Sequence, residues 1–401
     1  MAAGKEKKRG MEFEGYPRPD GSIGVRNHVL VLSTVLCTGP IPARVAAEVD
    51  GVMPITYRFC YPKRETLSVL RGVGANPNFG AVLIIGLSCE GMDYKRLGRE
   101  ISATGKSCAV LEVRASGGTI RATERAIELA RDMVEECRTV KREKVGIGEL
   151  TLGIKCGGSD ATSGLAANPA VGEMVDMLVD HGATVIFSEP LECVGAKHIL
   201  MRRAVNNEVA EEIRQLVDNS LSCYSGNGGG LNGLDNMDAI PAEHFMSPGN
   251  IAGGLTTLEE KSLGAVSKSG TRTITGVLDF AASPSTQGLF FMDSIGHELT
   301  DVGVLDGFLA AGAQIMVLTT GVGMATGIAG APLIKVCGNP DTSALMEGNI
   351  DVDASPIISM SCSVKDIGGM LMEKVVRVAS GEKVKAELLG YNDSEFSGIT
   401  T

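Results

Sequence analysis

Residues 155–172 read KCGGSDATSGLAANPAVG, and this stretch decides how the chain is understood. An apolar run, Leu152-Gly153-Ile154, leads into it. From Pro169 onward, Val171, Met174, Val175, Leu178 and Val179 fall at helical spacing. The stretch is therefore a turn between a strand and a helix, the place where open α/β sheets hold a ligand. Gly157, Gly158, Ser159, Ser163 and Gly164 are small, so backbone N–H groups can approach a bound molecule closely. Cys156, Asp160, Thr162 and Asn168 add a thiol, a carboxylate, a hydroxyl and an amide. A turn that only reverses the chain needs two or three such residues. This one is expected to bind or to catalyse, against the plainer reading of a glycine-rich connection.

Strand–helix alternation extends from this turn in both directions. Upstream, strands over 28–34, 51–57, 81–87 and 108–113 alternate with helices over 41–49, 63–72, 94–103 and 119–143. The run AVLIIGL at 81–87 is apolar throughout, as in a parallel strand buried on both faces. Downstream come a helix to His181, a strand over 183–188 and one helix over 196–221. Further on lie a helix over 257–264, strands over 289–293 and 314–319 with a helix between, a strand over 332–336, and helices over 342–347 and 364–379. The expected fold is α/β, with two doubly wound, mainly parallel-sheet domains, the second with long Gly-rich loops. A charged stretch over 141–149 divides an N-terminal α/β domain (14–145) from a C-terminal α/β domain (146–401), behind a disordered tail (1–13). Residues 223–250 are rich in glycine and asparagine and read as a long loop, a functional lid or a disordered segment.

Composition narrows the function. The chain has 401 residues, 44% hydrophobic and 21% charged, which is the globular range. Tryptophan is absent, so the cores must be built from Leu, Val, Ile, Met and Ala. A net charge of −11 argues against nucleic acid or an anionic membrane as partner. No apolar run reaches transmembrane length, and the opening residues lack the apolar segment of an export signal. A soluble, cytoplasmic protein is expected. Its ten cysteines should then be thiols, ligands or core residues rather than disulfides.

In a parallel sheet every strand's C-terminal end lies on one edge, so polar clusters after strands can converge on one or two crevices. Cys37, Cys89 and Cys156 each follow a strand, and Cys60 is a possible fourth. Thiolates suit iron, zinc and iron–sulfur clusters, although cysteine is also an ordinary small core residue. Glu189 and Glu192 flank Pro190; they can bind a divalent metal, divide acid and base roles, or simply complement a helix N-terminus. His244 and His297 sit in polar loops as possible ligands or bases. The run SPGNIAGGLTT (247–257) precedes a helix start and makes an anion seat. Lys261 and Lys268 beyond it could hold a carboxylate or act as base, or be solvated surface lysines.

Taken together, GYPRPDGSIGVRN (15–27), NPNFGAVLIIGLSCEG (76–91), KCGGSDATSGLAANPAVG (155–172), SEPLECVGAKHILMRRAV (188–205), SPGNIAGGLTTLEEKSLG (247–264) and TTGVGMATG (319–327) resemble the altronate and galactarate dehydratase family. The resemblance runs in family order over nearly the whole chain. It implies an iron-dependent hydro-lyase that converts a sugar acid or related hydroxy acid to a 2-keto-3-deoxy acid. A related enzyme, the sulfolactate sulfo-lyase, expels sulfite instead. Both reactions remove a proton α to a carboxylate and expel a β group, so a base, an acid and cations on the carboxylate are needed. The resemblance implies catalytic roles for Asp160, Lys261, Lys268 and Glu189. Substrate would be held by Gly157, Gly158, Ser159, Ser163, Asn168, Asn250, Thr256, Thr257 and Thr320. Metal ligands would be Cys37, Cys60, Cys89, Cys156 and Glu192, for iron as Fe2+ or, alternatively, an iron–sulfur cluster. The chain departs from the family where a His-Pro-x-Gly-Cys run is usual, since ITYRFCYP (55–62) has no His, and where Val322 replaces an Arg. These departures point away from a sugar diacid and leave the lyase chemistry in place; a sulfo-lyase is one alternative, and a non-catalytic assembly subunit, which the departures favour and the intact KCGGSD and SPGN blocks oppose, is another. The layout implies a small acidic substrate, a separate small subunit in place of the small domain that precedes this region in full-length dehydratases, and a homo-oligomer.

Overall fold

A computed structural model describes residues 11–63, 65–224, 246–298 and 300–395. It is a mixed α/β structure with two fully parallel sheets. The strands of the first half are β1 (Glu12–Pro17), β2 (Ile23–Gly24), β3 (His28–Ser33), β4 (Val52–Thr56), β5 (Phe79–Gly86), β6 (Ser107–Glu112) and β7 (Glu143–Gly146). Those of the second half are β8 (Thr151–Cys156), β9 (Thr184–Phe187), β10 (Ile274–Leu278), β11 (Gly288–Met292), β12 (Ile315–Thr320), β13 (Leu333–Cys337) and β14 (Val352–Asp353). The smaller parallel sheet has the order β4-β3-β5-β6; the larger runs β10-β11-β9-β8-β12-β13-β14. The most buried strands (β3, β5, β8, β12, β13) are near-continuous apolar runs because helices cover both faces.

Both parallel sheets reverse direction at an interior strand. From β8 the chain first builds β9 on one side and later β12 on the other. From β3 it builds β4 on one side and β5 on the other. The crevices beyond the carboxyl ends of β8 and β3 are therefore the two topological switch points, where such sheets place ligands.

An apolar core shared by the two sheets joins Leu30, Leu70 and Ile84 to Phe308, Met316 and Leu318. Each such side chain contributes ~1.5–3 kcal/mol by leaving water. Within this core, the helix Thr66–Ala75 packs on the helix Asp301–Ala310. A Cβ on Gly72 would lie 2.4 Å from the carbonyl oxygen of Ala310, so only glycine allows that approach. Asn76 Nδ2 donates to the carbonyls of Leu309 (2.8 Å) and Ala313 (2.9 Å). The C-terminal ends of the two helices thus abut.

Some expectations need correction. Residues 12 and 13, assigned to a disordered tail, open β1, which pairs antiparallel with β7 and buries Phe13. Residues 1–10 lie outside the described residues. The charged stretch over 141–149 contains β7, which is stable there because an edge strand can leave its charges in water. The single helix over 196–221 is two, Lys197–Arg202 and Asn207–Tyr224. Asn206 Oδ1 accepts from the N–H of Val209 and starts the second helix afresh. Most of the glycine- and asparagine-rich loop, including His244, lies outside the described residues. Among the described residues, no helix is long and apolar enough to cross a membrane.

Candidate active site

A cavity of about 300 Å³ opens at the switch point beyond β8. Its walls come from the KCGGS turn, from Glu189 to Glu192 after β9, from Ser247, Asn250 and Lys261, and from Glu298 and Asp301 between β11 and the next helix. Glu189 has φ +74°, a left-handed conformation that costs a non-glycine residue of order 1–3 kcal/mol. That conformation, just past the buried end of β9, directs its carboxylate to Lys155 and Lys268.

Charges in the cavity are interlocked. Lys155 Nζ donates to Glu189 Oε1 at 2.5 Å and pairs with Asp301 at 2.7 Å. Lys268, 1% exposed, donates to Glu189 Oε2 at 2.6 Å and to the sulfur of Cys156 at 2.9 Å. The Cys156 thiol donates to Glu192 Oε2 at 2.7 Å, and Lys261 pairs with the other oxygen of Glu192 at 3.2 Å. Burial opposes the charge on Lys155, but Glu189 and Asp301 outweigh it and hold its pKa above the ordinary lysine value. The same balance raises Lys268, through Cys156, Glu189 and Glu192, and Lys261, through Glu192. Burial, then Glu189 and Glu192, push the Cys156 thiol well up, so it stays protonated. Burial would also raise Glu192, yet Lys261 and Lys268 hold it well below the carboxylate range. Glu298 goes the other way. Burial, with Glu189 and Glu192 nearby, pushes it to about 8 despite the hydroxyl of Ser294 donating at 2.6 Å.

The cavity therefore joins three ammonium groups and three carboxylates to a neutral thiol and a carboxylic acid that keeps its proton near neutrality. No hydrogen bond engages the N–H of Gly158 or Ser159 among the described residues, and both residues line the cavity. Lys261 and Asn250 stand at the same wall. A carboxylate entering here meets a cation and backbone donors. Cys156, Glu189 and Glu192 offer three ligand atoms within 4.8 Å of one another, a donor set that suits a divalent transition ion. Lys268 hydrogen-bonds two of the three and pairs with the third at 3.7 Å, so its ammonium occupies that seat here.

The residues singled out in the sequence divide into those that line the cavity and those that shape it. Cys156, Gly157, Gly158, Ser159, Glu189, Glu192, Asn250 and Lys261 line it, and Lys268 backs it from beneath. Asp160 is not in the lining. Its carboxylate accepts from Thr162 Oγ1 (2.6 Å), Ser163 N–H (2.9 Å), Ser163 Oγ (3.2 Å) and Asn339 Nδ2 (2.9 Å). It clasps the turn against the loop after β12, where a Cβ on Gly321 would fall 1.8 Å from its oxygen. Ser163, Asn168 and Thr320 also shape the turn: Asn168 donates to the Gly264 carbonyl at 3.0 Å, and Thr320 Oγ1 donates to the Gly158 carbonyl at 3.3 Å. Thr257 caps the next helix, and Thr256 bonds Glu260; neither lines the cavity. His297 stacks on Phe280, with ring centroids 3.4 Å apart, and lies outside the lining. Cys37, Cys60 and Cys89 are exposed on loops of the smaller sheet, and none of them lines this cavity. Sequence reasoning passed over Lys155, Asp301 and Glu298. Lys155 carried a signal, a lysine ending an otherwise apolar strand; the two acids carried none.

The sequence matches the profile described as "D-galactarate/Altronate dehydratase, C-terminal" over residues 147–399. It also matches "D-galactarate dehydratase/Altronate hydrolase, second domain" over residues 15–138. It is 34% identical over 395 residues to the (2R)-sulfolactate sulfo-lyase subunit beta of Chromohalobacter salexigens, covering 96% of this chain and 97% of that subunit. Identity is 31% over 409 residues to the galactarate dehydratase (L-threo-forming) of Escherichia coli, covering 93% of this chain and 74% of that enzyme. It is 30% over 406 residues to the altronate dehydratase of Bacillus subtilis, covering 97% and 78%.

Proposed function

The chain belongs to the D-galactarate/altronate dehydratase family, and from that premise we propose that it is the large subunit of a cytoplasmic hydro-lyase acting on a sugar acid or related hydroxy acid. The observation that carries this reading is one cavity holding both a carboxylate seat (Lys261 with the N–H groups of Gly158 and Ser159) and a protonated acid, Glu298. An elimination α to a carboxylate needs both.

In this reading the substrate carboxylate settles on Lys261, Asn250 and the two N–H groups. Lys261 is then drawn from Glu192, whose proton affinity rises just when a base is needed. Glu192 takes the α-proton, and the bonding pair moves into an enediolate whose charge Lys261, Lys155 and Lys268 offset. The β carbon–oxygen bond then breaks with its electrons on oxygen, Glu298 supplies a proton, and water leaves. The resulting enol becomes the 2-keto-3-deoxy acid. Glu189 fixes Lys155 and Lys268, and Asp160 fixes the turn. Iron dependence belongs to the proposal as the metal-loaded state: there Cys156, Glu189 and Glu192 would hold Fe2+ in place of the Lys268 ammonium, the ion would supply Lewis-acid stabilisation of the carboxylate, and Glu192 would be a ligand rather than the base.

A second reading has its own support. Identity to the sulfo-lyase subunit is 34%, against 31% and 30% to the galactarate and altronate dehydratases. The same proton removal would then expel sulfite. Either reading includes a separate small subunit and a homo-oligomeric large one. The test is anaerobic incubation of the iron-loaded chain with candidate small partners and a panel of sugar acids, hydroxy acids and sulfolactate. We expect 2-keto acid formation; sulfite release selects the second reading. Neither product with any partner overturns both and leaves an assembly subunit.

A further inference from the structure

The last described residues, 391–395, form a strap that the reaction above does not use, and it ties together two segments flanking the cavity. Asp393 holds the first, the stretch after β12. Its Oδ2 accepts from Thr326 Oγ1 (2.9 Å) and from the N–H of Gly327 (3.1 Å), and its carbonyl accepts from the N–H of Ala329 (2.9 Å). Glu395 holds the second, the helix Asp301–Ala310. Its N–H donates to Asp306 Oδ2 at 2.6 Å, and its carboxylate accepts from Thr300 Oγ1. A Cβ on Gly327 would lie 2.6 Å from that of Tyr391, so glycine is what lets the strap lie this close.

Two lines of contact lead from the strap to the cavity. In one, Thr300 and Asp306 bracket the helix start that carries Asp301, and Asp301 pairs with Lys155 at 2.7 Å. In the other, the Tyr391 ring lies 5.5 Å from Lys335 Nζ as a cation–π partner. Lys335, fully buried, donates to the carbonyl of Met324 at 3.2 Å. The Met324 sulfur abuts Gly157, where a Cβ would lie 2.6 Å from it. The strap therefore bears on what fixes Lys155 and on what fixes the KCGGS turn.

Asp306 is the weak point of this arrangement. It is 2% exposed, and its Oδ1 has no hydrogen-bond partner among the described residues. An unpaired carboxylate is far more costly to bury than a neutral acid. The strap adds two carboxylates, Asp393 and Glu395, to its surroundings. The other elements on this helix offer little to offset them. The helix Thr66–Ala75 carries one charged residue, the exposed Arg71, and β8 carries Lys155, already engaged by Glu189 and by Asp301 of the same helix as Asp306. Burial, with Glu395 and Asp393, therefore pushes Asp306 well above the ordinary aspartate value of 3.8, against the pull of the Glu395 N–H. A group raised in this way by docking contributes fully below 3.8, and its contribution is lost as pH rises through the raised value.

We propose that the strap at 391–395 is a proton-linked brace of the cavity: docked over a neutral Asp306, it holds Asp301 on Lys155 and Met324 on Gly157, and it lets go when Asp306 gives its proton to solvent. Release frees the helix start at Asp301 and the stretch 321–327 together, so both walls that set Lys155 and the turn loosen in one step. The cavity is braced at acid and neutral pH and loosened in alkali. This regulation rests on the geometry of the cavity; the proposed elimination could fail and leave it intact.

The test reads the strap rather than turnover, so its failure and that of the elimination are separate. The chain has no tryptophan, and Tyr391→Trp places a single one in the strap of the full chain. Its acrylamide quenching constant should rise at least ~3-fold from about pH 6 to about pH 9.5, and less than ~1.3-fold once Asp306→Asn is added. Amide exchange of the unaltered chain, corrected for the intrinsic rate at each pH, gives a second measurement. There 391–395, 300–306 and 321–327 should lose protection in the same pH step, by at least ~10-fold, while the buried strand over 81–87 keeps its own. Should a variant fail to fold, exchange in the unaltered chain decides alone. Protection that does not change with pH, an equal rise in quenching with Asp306→Asn, or a strap that comes free while 300–306 and 321–327 stay protected would each overturn the proposal.

Discussion

Beyond β8 the side chains are buried, charged and already bonded to one another; beyond β3 they are exposed thiols bonded to nothing described. Both crevices occupy the same address in a parallel sheet, the strand where the winding reverses. The difference shows what that address provides. Topology supplies a concave edge with several loops, and the loop residues decide whether it is filled by the protein's own charges or left open. A closed network such as Lys155–Glu189–Lys268 is organised before substrate arrives, at a high desolvation cost. A set of exposed thiols costs little to fold.

The comparison breaks most readily at Lys268. Lys268→Met leaves the carboxylate of Glu189 buried with Lys155 as its remaining lysine partner. A loss of about 3–5 kcal/mol in denaturant unfolding is expected, with turnover down ~100-fold or more. Cys37→Ser in the iron-free chain should cost under ~0.5 kcal/mol, as an exposed substitution does. Equal losses in the two variants would abolish the distinction between a filled and an open crevice.

A middle-sized effect is expected with pH. Glu298 is raised from the ordinary 4.5 to about 8, so between those values the folded chain binds the extra proton. Its stabilising contribution is therefore complete below about pH 4.5 and lost as pH rises through about 8. Thermal unfolding of Glu298→Gln should lack that decline, and its turnover should lack the fall above pH 8 while being lower throughout. A decline of the same size in the variant would remove Glu298 as the acid.

The smallest effect sharpens the boundary of the cavity. Thr257 accepts from the N–H of Glu260 at 3.1 Å as a helix cap. Thr257→Ala should cost ~1 kcal/mol in unfolding and leave KM unchanged. A large rise in KM would return Thr257 to the substrate site that the sequence suggested for it.

Much of this was legible in the residues. Apolar runs and helical spacing located the buried parallel strands, because a strand covered on both faces has no polar position to vary. The strands passed over, β1, β2, the charged β7, β10 and β14, are short, glycine-bearing or at an edge, where pattern is weak. At the site, glycine density and strand-end position pointed to the turn at 155–172, part of which lines the cavity beyond β8. They did not separate Asp160, which holds the turn together, from Glu189 and Lys268, which join the buried charge network of the cavity.

The sequence alone determined the α/β alternation, the family, and that thiols, lysines and acids end the strands, since periodicity and residue type are local properties. Tertiary structure alone decided which of those groups meet. Strand order, not distance along the chain, carries Cys156 to Glu189, Lys268 and Glu298 while sending Cys37, Cys60 and Cys89 to another edge. Burial at the first of these edges then sets which carboxyl keeps its proton, and burial exists only once the sheets have packed.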